Sequence, residues 1–284
     1  MYETSSLTSR DGTSIGYRQL GHGPGVVLVQ GAMGSAHNFM ELAAGLSDTF
    51  TAYLPDRRGR GLSSLPYSED YCIQRDVEDL DALLRKTGAR YVFGLSSGAL
   101  IALTSALTLP AIQKLALFEP ALFIDGVPTA LLGRFQKEIA GGRVPAALIT
   151  AMKATEMGPP IFNLMPRLLL ERLTAMAMAQ EEKKSNGDYI PMRQLAATLQ
   201  YDFQVVLGMS GSLDAFSQVN ADVLLLGGSK SPAYLKTGLA ALEKALPHVT
   251  RVELAGLNHG ASWNRDRGGA PGRVAAELRK FFSS

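Results

Sequence analysis

Short apolar runs alternate with amphipathic stretches along most of this chain, and the period of each stretch assigns an element. Thr13 to Leu20 reads as a strand that ends in a turn built from Gly21, Gly23, Pro24 and Gly25. Val26 to Val29 is a continuous apolar run, as expected of a strand covered on both faces. A helical pattern follows over Phe39 to Leu46, then a strand over Phe50 to Leu54. Asp70 to Lys86 predicts an amphipathic helix, with Val77, Leu80, Leu83 and Leu84 on one face and charges opposite. Tyr91 to Leu95 reads as a strand, Ala99 to Leu109 as a helix and Lys114 to Phe118 as a strand.

The alternation stops at Ala121. From there to Val219 only helical patterns occur, broken at Gly126, Gly141-Gly142, Gly158-Pro159-Pro160 and Asn186-Gly187. It resumes with a strand over Asp222 to Leu226, a helix over Leu235 to Leu246, a strand over Arg251 to Leu254 and a helix over Arg273 to Phe282. Strands and helices in turn predict an α/β fold with a mostly parallel sheet and helices on both faces. The intervening block of about a hundred residues is too long for a plain loop and reads as a helical insertion. Residues 1–120 and 221–284 are therefore expected to form the core, and 121–220 a cap.

Composition narrows the function classes. The 28 basic and 26 acidic residues are spread along the chain for a net charge of +2, which argues against a nucleic-acid binder. Arg57, Arg58 and Arg60 cluster, but three arginines in one loop suit the ordering of that loop. The single cysteine, Cys72, excludes an intrachain disulfide and is expected to pack within a helix. The start Met1-Tyr2-Glu3-Thr4-Ser5-Ser6 lacks the basic and apolar regions of a secretion signal, and no apolar run approaches the roughly 18 residues of a membrane span. A cytoplasmic protein with a small-molecule substrate is the expectation, with no nucleic-acid or membrane partner, no cofactor and no metal.

Two loops carry candidate chemistry. Gly94-Leu95-Ser96-Ser97-Gly98 fits G-x-S-x-G between a predicted strand and a predicted helix, the strand–turn–helix setting that this motif needs. A nucleophile on so sharp a turn takes strained backbone angles and tolerates only small neighbours. Ser96 is thus the candidate nucleophile, beside a helix N-terminus that favours a developing anion. The glycine-rich Gln30-Gly31-Ala32-Met33-Gly34-Ser35 follows the strand Val26 to Val29 and can aim a backbone N–H at that anion. By position the first donor is Ala32, with Met33 as the alternative, and the second is Ser97, the residue after the nucleophile.

With these segments in place the chain resembles the α/β-hydrolase superfamily over nearly its whole length. Gly31 stands where that family commonly has His-Gly, with Gln30 replacing the histidine. Asp56-Arg57-Arg58-Gly59-Arg60-Gly61-Leu62-Ser63 is similar to its D-x-R-G-x-G-x-S segment, a structural element there, so Asp56 and Arg58 are expected to support the loops of the site. The resemblance implies an eight-stranded sheet with the cap inserted after the sixth strand. It also implies a catalytic base after the last strand, where Gly256-Leu257-Asn258-His259-Gly260 supplies His259; His22 and His248 are expected at the surface. The family's usual acid follows the seventh strand in G-x-x-D-P, but here that segment is Gly228-Ser229-Lys230-Ser231-Pro232. A hydroxyl cannot balance the imidazolium formed during acyl transfer. Some members place the acid at the end of the sixth strand, which points to Glu119; Asp202, Asp214 and Asp222 are weaker alternatives.

The insertion holds seven of the ten methionines, among them Met152 and Met157. As flexible thioethers they suit an apolar substrate pocket, to which Met33 and His37 are also assigned. The expected activity is hydrolysis of a carboxylic ester or lactone through an acyl-enzyme on Ser96. A serine at this position sets aside the relatives that need an aspartate nucleophile, the epoxide hydrolases and haloalkane dehalogenases. The same triad also serves carbon–carbon cleavage in a diketone, and thioesters and amides stay open. The rival outside enzymes is a ligand receptor that keeps the fold with slow turnover or none.

Overall fold

The structure is a computed structural model that describes residues 2–65, 67–157, 162, 164–184, 187–209, 211 and 213–284. Its centre is an eight-stranded sheet: β1 (Glu3–Thr8), β2 (Ser14–Gly21), β3 (Gly25–Val29), β4 (Thr51–Pro55), β5 (Tyr91–Leu95), β6 (Lys114–Phe118), β7 (Asp222–Gly228) and β8 (Val249–Leu254). The spatial order is β1-β2-β4-β3-β5-β6-β7-β8, and β2 alone runs against the other seven. The α/β architecture is thus as the alternation predicts. β1 carried no readable signal, because in Glu-Thr-Ser-Ser-Leu-Thr only Leu7 is buried and an edge strand open to water needs no apolar alternation.

Helices α2 (Ile73–Thr87), α3 (Ser97–Thr108) and α9 (Ala233–Ala245) pack on one face of the sheet, and α1 (Met40–Ala44) and α10 (Pro271–Phe282) on the other. Successive strand residues point to opposite faces. In β3, Val27 and Val29 therefore enter one core while Val26 and Leu28 enter the other, which is why the run has no polar position. α2 buries Val77, Leu80, Leu83 and Leu84 as the periodicity requires and ends at Gly88 in the left-handed conformation. It begins later than expected: Cys72 lies outside it in extended backbone and is exposed, which corrects the expectation that it packs.

Between β6 and β7 lie α4 (Thr129–Ala140), α5 (Val144–Ala154), α6 (Arg167–Lys184), α7 (Met192–Ala197) and α8 (Leu199–Gly208), with no strand among the described residues. The expected breaks at Gly158-Pro159-Pro160 and Asn186 lie outside the described residues. These helices share an apolar cluster around Phe135, Leu148, Met178 and Leu199, and Ala32 and Met33 pack against it. The helical segment thus seats on the loop after β3. Among the described residues no helix is long and apolar enough to cross a membrane.

Candidate active site

The loops at the carboxyl ends of β3, β5, β6, β7 and β8 converge on one cavity of about 720 Å³. In doubly wound sheets this edge, where the strand order reverses direction, is the usual ligand position. Ser96 opens α3 with φ 57° and ψ −119°, a region that costs a non-glycine residue on the order of 1–3 kcal/mol. Its neighbours explain how the strain is held. A Cβ on Gly98 would sit 2.4 Å from the Gln30 carbonyl oxygen, and one on Gly94 would sit 2.6 Å from Ala99 Cα. Ser96 N–H is fixed to the Phe118 carbonyl at 3.0 Å. The residue keeps 9% of its surface exposed and lines the cavity.

The loop after β3 presses on this turn. A Cβ on Gly31 would lie 2.9 Å from Ser96 Cβ, so only glycine lets the two loops approach. Ala32, Met33 and Ser97 all line the cavity beside Ser96, and Met33 has a positive φ of 58°. Among the described residues the N–H groups of Ala32 and Ser97 have no hydrogen-bond partner. Both are free to meet an oxyanion.

Glu119 follows β6 with φ 45° and is fully buried. Its Oε1 accepts the Gly228 N–H at 2.6 Å and its Oε2 lies 2.7 Å from His259 Nδ1. The contact crosses the end of β7, which the paired Gly227 and Gly228 keep clear: a Cβ on Gly227 would come within 3.2 Å of Glu119 Oε1. His259 lines the cavity with its side chain 13% exposed. Ser231, where the family's acid commonly stands, also lines the cavity but has no partner for its buried hydroxyl among the described residues. The structure therefore pairs Glu119 with His259 and sets His259 and Ser96 on the wall of the same cavity, with no direct hydrogen bond between those two among the described residues. Burial and the Glu119 charge push the Tyr234 hydroxyl, which also lines the cavity, well above its ordinary range.

Asp202, on α8, joins the site without touching His259. Its Oδ1 accepts from Ser97 Oγ at 2.6 Å and Arg57 Nη1 at 2.7 Å, and its Oδ2 accepts from Arg60 Nη2 at 2.6 Å. Burial raises the Asp202 pKa, but the Arg60 and Arg57 charges outweigh burial and hold it below the ordinary carboxylate value. The other arm of Arg60 donates to the Gly31 and Gly34 carbonyls, both at 2.9 Å. One carboxylate thus links the two halves of the candidate oxyanion site through Ser97 and Arg60. Arg58 does something else: it binds Asp79 on α2 and Asp11 beyond β1, remote from the cavity. Asp56 supports the site more directly, accepting the Ala36 N–H at 2.8 Å. No signal near Asp202 in the sequence announces these contacts, because both arginines lie far away along the chain.

Met152, Met157 and Met192 line the cavity, whereas Met178 and Met209 are buried in packing and Met176 is exposed. His37 is not among the lining residues; its ring meets Tyr189 edge-on at 5.6 Å. Asp214 and Asp222 do not line the cavity either. Among the described residues no three His, Cys, Asp or Glu side chains are grouped to hold a metal.

Comparison with known proteins adds four matches. The profile of the Alpha/beta hydrolase family matches residues 26–277. Among curated proteins, an uncharacterized hydrolase of Bacillus subtilis (strain 168), YraK, is 39% identical over 95 residues, 32% of this chain and 35% of that protein. The 2-(acetamidomethylene)succinate hydrolase of Mesorhizobium japonicum is 25% identical over 252 residues, 87% of this chain and 85% of that protein. The alignment with the first thus spans about a third of the relative, and that with the second most of it. Among solved structures, an alpha/beta hydrolase from Sphaerobacter thermophilus DSM 20745 superposes with a TM-score of 0.79 at 30% identity, covering 98% of this chain and all of that one.

Proposed function

Since the chain belongs to the Alpha/beta hydrolase family, we propose that it cleaves a carboxylic ester or lactone of a small, largely apolar substrate through an acyl-enzyme on Ser96. The observation that carries this reading is the 2.7 Å contact between Glu119 and His259 at the cavity that Ser96 also lines. Glu119 accepts the His259 Nδ1–H and so leaves Nε2 as the base. His259 takes the Ser96 hydroxyl proton as Oγ attacks the carbonyl carbon. The N–H groups of Ala32 and Ser97 hold the oxyanion, and the protonated imidazole returns its proton to the leaving alcohol. Water, deprotonated in turn by His259, attacks the acyl-enzyme and frees the acid and the serine. The helices between β6 and β7 act as the cap, and Met152, Met157 and Met192 supply an adaptable apolar wall.

Incubation with a fluorophosphonate probe and with short 4-nitrophenyl esters tests the proposal. Labelling confined to Ser96, with ester turnover that vanishes in Ser96→Ala, is expected. Labelling of Ser96 with negligible ester turnover would remove the ester reading in favour of another bond or a receptor, and absence of labelling would remove the nucleophile.

A second reading has one specific support. The relative that aligns over 87% of this chain is named as a hydrolase of 2-(acetamidomethylene)succinate. The same three side chains would serve such a substrate, so a screen of acylaminomethylene acids and diketones belongs beside the ester series.

A further inference from the structure

Arg267 is a cation lining the cavity with no ion-pair partner among the described residues. It follows the His259 loop in the short turn Arg265–Arg267 and is partly buried. Among the described residues no carboxylate lies within ion-pair distance of it, and its one side-chain hydrogen bond runs from Nη1 to the Met33 carbonyl at 2.8 Å. The other charged groups lining the cavity differ from it. Asp202 is neutralised by two arginines, while Lys230 and Glu156 are exposed. Burial draws the Arg267 pKa below its ordinary value, and Tyr189, Glu181 and Asp266 offset this only in part. A guanidinium taken partly out of water with no anion in ion-pair contact is costly unless something else supplies the charge.

Its setting prepares it for a planar anion. The guanidinium carbon lies 4.5 Å from the centre of the Trp263 ring, and Trp263 lines the same cavity. Stacking on an aromatic face covers the plane of the guanidinium and leaves its edge donors for a bidentate partner. The bond to Met33, next to the candidate oxyanion donor Ala32, fixes the cation against the loop after β3.

We infer that Arg267 is the carboxylate-binding subsite of this cavity, so that the preferred substrate carries one carboxylate at the end of an otherwise apolar body. The inference rests on the reading of the cavity as the substrate site and sharpens it from an apolar ester to the half-ester of a dicarboxylic acid, or a lactone or acylamino acid with a free carboxylate.

The chain has one tryptophan, and it is the residue beneath Arg267. Intrinsic fluorescence therefore reports the subsite whether or not the enzyme turns anything over. Glutarate is expected to change Trp263 emission saturably, with glutaramide at least about tenfold weaker and Arg267→Gln weakening glutarate by about the same factor. Arg267→Lys, which keeps the charge and loses the fork, is expected to fall between. In a parallel arm, mono-4-nitrophenyl esters of succinate, glutarate and adipate are compared with neutral 4-nitrophenyl esters of equal length. At least one half-ester is expected to exceed its neutral counterpart in kcat/KM by about tenfold or more, a ratio that falls toward one in Arg267→Gln. Wild-type protein that binds glutarate no better than glutaramide overturns the inference without needing any variant to fold. Turnover of neutral esters with no half-ester preference overturns it too and leaves the serine hydrolase standing. Glutarate binding without turnover of any ester has the reverse meaning: the subsite holds and the ester reading fails.

Discussion

At position 119 two hydrogen-bond donors converge on one carboxylate, the Gly228 N–H and the His259 Nδ1–H. A glutamine there offers one carbonyl oxygen and one NH₂ group, so one donor must face another donor. Glu119→Gln is therefore expected to lower kcat by about 10³–10⁴-fold, through loss of the imidazole tautomer and of the charge that balances imidazolium. Its melting temperature should shift little by comparison. Ser231→Ala removes a hydroxyl that binds nothing among the described residues, and its steady-state rate should stay within about twofold of wild type. Equal rates in Glu119→Gln and wild type would move the acid elsewhere. The carboxylate at 119 was readable from the sequence only because no other follows the β7 strand before Glu243. What brings it into reach is a pair of glycines on a neighbouring strand.

At the scale of elements, the site depends on how closely strand ends and turns approach. Gly228 closes β7 where a Cβ would lie 2.3 Å from the Leu257 carbonyl oxygen, a backbone atom of the loop that carries His259. Gly228→Ala must push that loop outward, at a cost of about 1–3 kcal/mol in stability, with loss of activity as His259 shifts. Gly133 offers the opposite case within α4: nothing lies within 4 Å of its added Cβ, and its φ is ordinary. Gly133→Ala should stabilise the chain by about 0.5–1 kcal/mol through helix propensity, with activity unchanged. Denaturant melts of the two variants, expected to move in opposite directions, check both. The same close approach explains the glycines around the strained Ser96: Gly31 and Gly98 lie where the turn and the loop after β3 meet, and Gly94 lies against the start of α3, with no room for a side chain at any of the three.

Over the whole molecule, Asp202 ties the helical segment between β6 and β7 to the sheet side of the molecule by bonds to Arg57 and Arg60 after β4 and to Ser97 at the head of α3. Removing its charge leaves the buried Arg60 with no ion-pair partner among the described residues and Arg57 with Asp76 alone, so Asp202→Asn should cost about 3–5 kcal/mol. The acid dependence follows from the direction of its pKa. Held below the unfolded value, the carboxylate stabilises the fold fully above the unfolded pKa of about 3.9 and progressively less as pH falls through its folded value. In that window the unfolded chain binds more protons, so stability must drop with pH. Urea melts between pH 6 and pH 3 should show a steeper acid limb in wild type than in Asp202→Asn. Parallel limbs would mean that Asp202 does not carry this linkage.

Local patterning by itself determined the sequence of elements, because an apolar run covered on both faces and a one-sided helix differ in period wherever they occur. It also marked the strand–turn–helix around Ser96, since a tight turn admits few residue types. It could not mark β1, whose side chains face water. Pairings between distant residues belong to the tertiary structure alone: Arg57 with Asp202 across 145 positions, and Met33 with Arg267 across 234. The same holds for which methionines face the cavity and which pack, because composition and period are properties of a segment. A shared cavity arises only when the ends of five strands are brought to one edge of a sheet.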